Sequence, residues 1–212
     1  MTHRVAVIGT GTGVGKTSLT VGWAGHLRAC GVTAGAWKPI ETGGLGDARA
    51  LVEASGRGDV TDTVALATPA SPHRAARLEG RRIDFAERRD VCDRLSTGLD
   101  VLLIEGAGGA FTPVVDATGT VTDLMLFLGV TATVLVATDR LGALHDVVAV
   151  ARAARGALHL RAVVLNAFGA APEIDLLENE AELRTLFPAL LVLRRASFGP
   201  EDYVALSERC FT

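Results

Sequence analysis

The sequence predicts an α/β fold, doubly wound, in which a mainly parallel sheet carries helices on both faces. Three observations favour this class. Short apolar runs alternate with longer stretches of helical periodicity along the chain. The runs are continuously apolar, as at residues 101–104 and 132–136, which is typical of parallel strands covered on both faces. No composition break, repeat or linker interrupts the 212 residues, so we expect one domain over residues 1–212.

The apolar runs mark the expected strands, and the periodic stretches mark the expected helices. Strands are predicted at residues 4–8, 33–37, 100–104, 132–137, 161–165 and 189–193, with a weaker one near 61–66. Helices are predicted at about residues 16–30, 46–55, 84–97, 120–129, 144–156 and 174–186. Ligands of such sheets bind beyond the carboxyl ends of the strands. Chemistry is therefore expected in residues 9–17, 38–47, 105–116, 138–145 and 166–169.

Composition and charge narrow the possible functions. Hydrophobic residues make up 49% and charged residues 21%, a balance typical of globular rather than disordered proteins. The net charge of -3 gives no reason to expect a nucleic-acid partner. We expect neither a signal peptide nor a membrane helix, because the first residues lead directly into a predicted strand and no apolar run has the length that a membrane helix needs. The three cysteines, Cys30, Cys92 and Cys210, fit neither a disulfide framework nor a zinc site, so we expect a cytoplasmic protein.

The stretch GTGTGVGKT at residues 9–17 has the composition of a phosphate-binding loop but not the standard spacing. The usual form is glycine, four residues, then glycine, lysine and serine or threonine, and here the leading glycine lies one residue too far from Gly15. Lys16 can nevertheless reach the outer phosphates of a nucleotide, and Thr17 lies where a magnesium ligand is needed. A dinucleotide site is disfavoured, because it needs an acidic residue at the end of the second strand, where the sequence has Lys38.

Two carboxylates are candidates to complete a magnesium site beside this loop. Glu105 ends an apolar strand and opens a glycine-rich turn, so its carboxylate is expected to project over the sheet edge. Asp47 follows a second glycine-rich stretch, and either it approaches the same crevice or it caps the helix that begins there. Lys38 can supply a second positive charge to an anionic substrate or a transferring phosphoryl group, with the hydroxyl of Thr42 nearby. His73 has no placed partner and is expected to be structural.

Taken in order, these stretches resemble those of the dethiobiotin synthetase family, which has the P-loop NTPase type of fold. The loop at residues 9–17 is similar to the family's expanded form, Gly-Thr-x-Thr-x-Val-Gly-Lys-Thr, which accounts for the extra residue. Further similar stretches are residues 38–43 (KPIETG), 71–73 (SPH), 79–80 (EG), 105–109 (EGAGG), 112–113 (TP), 141–142 (LG) and 164–166 (VLN). The resemblance covers about residues 4–168.

The resemblance implies a reaction. Members of the family join 7,8-diaminononanoate and carbon dioxide into the cyclic urea of dethiobiotin, converting ATP to ADP and phosphate by way of a phosphorylated carbamate. It also implies Mg²⁺, with ATP as co-substrate. A homodimer is implied as well, with the active site at the interface and the substrate tail near residues 141–145 of the partner. No nucleic-acid or membrane partner is implied.

The roles of individual residues are likewise what the resemblance implies. Lys16 and Lys38 are expected to be catalytic. The expected metal ligands are Thr17, Asp47 and Glu105, and the expected substrate contacts are Thr12, Thr42 and Gly108. The residues expected to bind the nucleotide are Gly13, Val14, Gly15, Lys16, Thr17, Ser18, Asp47, Glu105, Gly106, Ala107, Gly108 and Asn166. Among these, Asn166 is expected to read the adenine edge.

The chain departs from the family pattern in four places. His145 stands where the family can have a smaller polar residue, and we expect it to change how the substrate carboxylate is held. Gly13 stands where the family often has an acidic residue, and Ala167 stands where an aspartate sometimes helps to hold the base. Residues 192–199 replace a Gly-x-Ile-Pro type segment that lines the adenine pocket. This segment contains Arg194 and Arg195, and we expect them to alter the contacts to the nucleotide base.

Two alternative functions share this fold. One is a P-loop amidoligase, which usually carries a glutaminase domain, and we do not expect such a domain within these 212 residues. The other is a nucleotide-switch ATPase of the partitioning or maturation type. Such proteins generally have an additional lysine early in the phosphate loop, where this chain has Thr10 and Gly11. The stretch at residues 38–43 favours a small-molecule ligase over both.

Overall fold

The computed structural model describes residues 2–116 and 118–211. The strands within these residues are, in chain order, β1 (His3–Gly9), β2 (Ala34–Trp37), β3 (Ile40–Thr42), β4 (Val64–Leu66), β5 (Val101–Glu105), β6 (Ala132–Thr138), β7 (Leu160–Asn166) and β8 (Leu191–Arg195). Six of the described strands form one sheet in the order β2-β5-β1-β6-β7-β8, and each neighbouring pair is parallel. The predicted doubly wound parallel sheet is confirmed. The remaining described strands, β3 and β4, pair with each other in parallel.

Helices connect these strands. The α-helices of the described residues are α1 (Lys16–Ala29), α2 (Gly46–Ser55), α3 (Pro72–Leu78), α4 (Phe85–Ser96), α5 (Val121–Phe127), α6 (Ala143–Ala153), α7 (Asn179–Leu186) and α8 (Pro200–Cys210). Short 3-10 helices cover Val60–Asp62 and Pro172–Leu177. Over residues 2–116 and 118–211, every helix falls short of the length and apolar character that crossing a membrane requires.

The main sheet separates two hydrophobic cores, because successive side chains of a strand point to opposite faces. On β1, Val5 and Val7 belong to the core that contains Trp23 of α1, whereas Ala6 and Ile8 belong to the other. The first core also receives side chains from α2 and α8, and the second receives them from α3 to α7. The continuously apolar strands predicted from the sequence are therefore buried on both faces.

Several elements differ from the sequence prediction. The strand β3 and the helices α3 and α8 were not predicted. Both helices begin with a proline in the first turn, a recognised start signal, but β3 and α3 are only three and seven residues long. The predicted helix at residues 174–186 is interrupted at Glu178, whose φ of 46° lies in the left-handed region. The weak strand predicted near 61–66 divides into a 3-10 helix and β4.

Candidate active site

The phosphate-binding loop connects β1 to α1 at the carboxyl edge of the sheet. Gly13 and Gly15 have φ values of 74° and 102°, a region in which a residue with a Cβ is strained. Gly15 is the N-cap of α1, and within the described residues no side chain caps this helix end. The N–H groups of the first turn therefore remain available to an anion. The loop is anchored to the sheet where the N–H of Thr10 donates to the carbonyl of Val136 at 2.9 Å.

Asn166, at the end of β7, contacts this loop directly. Its Nδ2 donates to the carbonyl of Val14 at 3.1 Å, and its Oδ1 accepts from the N–H of Phe168 at 3.1 Å. A Cβ added to Gly15 would lie only 2.3 Å from Asn166 Nδ2. Both ends of the amide are thus engaged, and the side chain braces the loop backbone. Its expected contact with an adenine edge stays a prediction.

Four side chains from separate elements meet beside the loop. Lys38, which follows β2, donates from Nζ to Glu105 Oε1 at 2.9 Å and also forms an ion pair with Asp47 of α2. The Thr17 hydroxyl, at the start of α1, donates to the same Glu105 oxygen at 2.9 Å. The structure therefore brings together the three residues expected to bind metal and one of the two expected catalytic lysines. Asp47 is not the N-cap of α2, because Leu45 holds that position, so the capping alternative is wrong.

The second lysine, Lys16, lies close enough to Glu105, Lys38 and Asp47 for their charges to affect its pKa. Its Nζ donates to the carbonyl of Gly11 at 2.9 Å. Burial lowers the pKa of Lys16 to about 8, with Glu105 and Asp47 opposing the shift and Lys38 adding to it. Burial also acts to lower the pKa of Lys38, but the charge of Glu105 and the hydrogen bonds to Asp47 and Glu105 raise it above its usual value. Lys38 is therefore held as a cation.

Glu105 is the most buried member of the group, with none of its surface exposed. Burial raises the pKa of its carboxyl, and Lys38 opposes that shift. Its Oε2 is buried and has no hydrogen-bond partner among the described residues. An unpaired buried acceptor costs about 1–3 kcal/mol, so a cation or its bound water would be stabilised there.

The donor set suits Mg²⁺. Thr17, Asp47 and Glu105 offer one hydroxyl and two carboxylates, and Mg²⁺ prefers oxygen ligands while keeping several waters or substrate phosphates. Within residues 2–116 and 118–211, no three His, Cys, Asp or Glu side chains are grouped so that they could hold a metal ion by themselves. The residues present therefore fit a metal that phosphates help to hold, rather than one enclosed by protein ligands.

Two cavities adjoin at these charges. The first, of about 360 Å³, is lined by the phosphate loop, Lys16, Thr17 and Ser18. The second, of about 500 Å³, is lined by Thr42, Glu41, Ala107, Thr112 and residues 69–72. The residues common to both cavities are Thr12, Lys38, Asp47 and Gly108. Two ligands could therefore meet beside Lys38.

Some expected site residues lie outside these cavities. Gly106, Val14 and Asn166 line neither of them. Gly106 packs towards the core, where an added Cβ would lie 2.8 Å from Val121 Cγ1. A further cavity of about 470 Å³ lies beside the edge strand β2 and shares only Lys38 with the site. The phosphate loop and the paired charges line the other two cavities and not this one, apart from Lys38.

Sequence reasoning gave Glu41 no role, although the structure places it at the site. Glu41 is buried, lines the second cavity, and accepts backbone hydrogen bonds from Asp47 and Ala48. No periodicity or spacing singles out this carboxylate, because its partners belong to the following helix. Ser71 and Pro72 line the same cavity, and neither the sequence pattern nor the family resemblance assigned these two residues a role.

The two arginines of the divergent segment are paired with carboxylates. Arg194 forms ion pairs with Asp139 and Asp175, and Arg195 Nε lies 2.7 Å from Asp202 Oδ1. These pairs connect the ends of β6 and β8 with α8 and the 3-10 helix before α7. Direct contact of either arginine with a nucleotide base stays a prediction.

The sequence is similar to a family model and to several known proteins. A family model described as an AAA domain matches residues 3–194. An ATP-dependent dethiobiotin synthetase from Mycobacterium leprae is 31% identical and aligns with 98% of this chain and 94% of its own length. Another, from Haloferax mediterranei, is 38% identical, with 79% of this chain and 73% of that protein covered.

Solved structures are similar in fold at low sequence identity. The septum site-determining protein MinD from Pyrococcus horikoshii, complexed with Mg-ADP, superposes with a TM-score of 0.54 at 16% identity, over 100% of this chain and 93% of that one. The pNOB8 ParA protein gives a TM-score of 0.60 at 14% identity, over 96% and 80% of the two chains. At these identities the likeness concerns the fold alone.

Proposed function

The chain belongs to the ATP-dependent dethiobiotin synthetase family, and on that premise we propose that it forms dethiobiotin from 7,8-diaminononanoate, carbon dioxide and Mg-ATP. One amine adds to carbon dioxide and loses a proton, giving a carbamate. A carbamate oxygen takes the γ-phosphoryl group as ADP leaves. The second amine attacks the carbamoyl carbon, the bond to the phosphorylated oxygen breaks, and phosphate and a proton are released.

The observation that carries this proposal is the pair of adjoining cavities with Lys38 between them. The cavity with the phosphate loop suits the nucleotide phosphates, and the other suits the diamine. The carbamate and the γ-phosphate are both anions, and two unit charges about 4 Å apart repel by roughly 4 kcal/mol at an effective dielectric constant of about 20. Lys16 and Lys38 offset this repulsion at the point where the two ligands meet.

Each charged residue has a distinct part in this scheme. Lys16 and the N–H groups at the start of α1 hold the phosphates. Thr17, Asp47 and Glu105 would hold Mg²⁺, which when bound neutralises phosphate oxygens. Lys38 directs its ammonium group towards the carbamate oxygen and the charge that develops during phosphoryl transfer. Thr12, Thr42 and Gly108 contact the diamine.

The alternative functions have less support. The fold resembles that of MinD and ParA, but at 14–16% identity, whereas a dethiobiotin synthetase is 31% identical over 98% of this chain. A switch ATPase has no need of a second cavity that shares four residues with the nucleotide cavity. An amidoligase would use a similar phosphorylated intermediate, so the product distinguishes it from the proposed enzyme.

We expect phosphate release from Mg-ATP to require both the diamine and bicarbonate. The second amine must attack before phosphate leaves the carbamate, so omission of either substrate should reduce the rate to near background. Phosphate can be measured with a coupled assay and dethiobiotin by mass spectrometry. Phosphate release that is equally fast without the diamine would contradict the proposal and favour a nucleotide-switch ATPase.

In metal-free buffer, we expect ADP binding to take up a proton above about pH 8. The pKa of Lys16 is about 8 in the free protein, and bound phosphates raise it because they stabilise the ammonium form. Below that pH, Lys16 is protonated in the free protein and in the ADP complex, so the affinity for ADP does not depend on pH. Above it only the complex holds the proton, so the affinity falls by at most about tenfold per pH unit until the pKa of the complex is reached.

Calorimetry in two buffers of different ionisation enthalpy measures this proton uptake. Lys16→Arg is the matched control, since its guanidinium remains charged in both states and should take up no proton. If the wild type takes up no proton near pH 9, ADP binding does not shift the pKa of Lys16 as predicted. If the arginine variant takes up a proton as well, another group is responsible for the uptake.

We also propose a homodimer in which a second copy completes the diamine cavity. Leu141 follows β6 at the carboxyl edge of the sheet and is 76% exposed. Val115, in the segment after β5, is 49% exposed. Apolar side chains this exposed are stabilised when a partner covers them. Light scattering should give a mass of about twice 22.1 kDa, and a monomeric mass at working concentrations would contradict the proposal.

A further inference from the structure

Glu41 of β3 reaches across to cap a helix that has no local cap. Its Oε1 accepts from the N–H of Asp47 at 3.0 Å, and its Oε2 accepts from the N–H of Ala48 at 2.8 Å. The N-cap residue of α2 is Leu45, and within the described residues no side chain of its own segment caps the helix. Glu41 therefore accepts from two of the four N–H groups that the start of a helix leaves without an intrahelical partner.

The chain that enters α2 is rich in glycine, and it is held to β4 at one point, where the N–H of Gly43 donates to the carbonyl of Leu66 at 2.8 Å. Gly43 and Gly44 have φ values of 80° and 146°, and both are exposed. Glycines lose more conformational freedom on ordering than other residues do. The two hydrogen bonds from Glu41 are therefore well placed to determine where the first turn of α2 lies.

The position of that turn determines the position of the Asp47 carboxylate. Asp47 is the second residue of α2, and its own N–H is one of the two groups that Glu41 holds. In the described residues the Asp47 side chain makes one ion pair, to Lys38, and 40% of it is exposed. Side-chain packing therefore constrains this carboxylate only partly, and its position depends mainly on where the backbone of the first turn of α2 lies.

We propose that Glu41 is a positioning residue, which holds the first turn of α2 so that Asp47 meets Lys38 and the metal. The inference rests on the proposed metal-binding role of Asp47 and adds a residue to which neither the sequence nor the family resemblance assigns a role. Both oxygens of the carboxylate are needed, because both accept from N–H groups. A glutamine would keep one acceptor and turn an NH₂ donor towards the second N–H group.

The test compares Glu41→Gln with Asp84→Asn, a matched change of carboxylate to amide. Asp84 caps α4 by accepting from the N–H groups of Ala86 and Glu87, and it lines neither cavity of the site. The affinity for ADP is measured by calorimetry in EDTA and again with Mg²⁺. We expect Glu41→Gln to leave the affinity in EDTA nearly unchanged and to reduce the gain that Mg²⁺ provides by about tenfold or more. Asp84→Asn should leave both affinities unchanged.

A double-mutant cycle tests whether Glu41 acts through Asp47. Asp47→Asn should reduce the Mg²⁺ gain at least as strongly as Glu41→Gln, and the double variant should be no worse than Asp47→Asn alone. Hydrogen exchange at Asp47 and Ala48 should also be faster in Glu41→Gln. A lower melting temperature with an unchanged Mg²⁺ gain would overturn the proposal, as would additive effects of the two changes.

These measurements use ADP and metal binding, so they are separate from turnover. If the wild type made no dethiobiotin but Glu41→Gln still lost the Mg²⁺ gain, the proposed reaction would fail and the role of Glu41 would stand. If the wild type bound ADP equally well with and without Mg²⁺, there would be no Mg²⁺ gain for Glu41 to support, and the role proposed for Glu41 would be wrong whatever the reaction.

Discussion

Replacement of Lys38 by alanine is expected to lower kcat by about 10³-fold while changing the affinity for ATP by less than about tenfold. Lys38 lies between the two cavities and contacts Glu105 and Asp47, and no hydrogen bond joins it to the phosphate loop within the described residues. The loop and Lys16 should therefore still hold the phosphates. What is lost is the positive charge at the place where carbamate and γ-phosphate meet. Phosphate release and calorimetry measure the two quantities.

The change also removes one partner of a buried ion pair, which destabilises proteins by about 3–5 kcal/mol in typical cases. Lys38→Met keeps much of the apolar stem and serves as a second variant with the same loss of charge. Lys16→Ala should give the opposite pattern, with weak nucleotide binding as its first effect. If a folded Lys38→Ala or Lys38→Met variant no longer binds ATP, the role assigned to Lys38 is wrong.

Gly15→Ala is expected to destabilise the free protein and to abolish nucleotide binding. The new methyl group would lie 2.3 Å from Asn166 Nδ2 and would force either the loop or the amide to move. Overpacking of this kind costs about 1–3 kcal/mol, in addition to roughly 1–2 kcal/mol for a left-handed alanine. Thermal unfolding without nucleotide measures the first effect, and calorimetry with ADP measures the second.

The chain offers a matched control at Gly13. It also has a left-handed φ, of 74°, but an added Cβ there meets no atom within 4 Å. Gly13→Ala should show the backbone strain without the collision. When Asn166→Ala is added to Gly15→Ala, the melting temperature should rise by the part that the collision with Asn166 had cost. If Gly13→Ala and Gly15→Ala lower the melting temperature equally, or if Asn166→Ala brings no recovery, Asn166 does not brace the loop as described.

The fold and the family could be predicted from the sequence because their signals are local. Continuous apolar runs such as residues 101–104 and 132–136 indicate parallel strands without reference to any distant residue. The phosphate loop and the glutamate that opens residues 105–109 are likewise read within a few positions. Short features without a pattern are missed. The strand β3 has too few residues to show a period, and the break at Glu178 depends on one residue with a positive φ.

The contacts at the site belong to the tertiary structure. Thr17 and Glu105 are 88 positions apart, Lys38 and Glu105 are 67 apart, and Asn166 is 152 positions from the Val14 carbonyl that it holds. No spacing along the chain encodes such distances, because the order of strands in the sheet differs from their order in the sequence. The sequence therefore determined which chemical groups reach the carboxyl edge. The packing of β1, β2, β5 and β7 decided which of these groups touch, and with it the bracing of the phosphate loop by Asn166. The capping by Glu41 spans only six and seven positions, but it depends on how the turn after β3 folds back, which no residue pattern indicates.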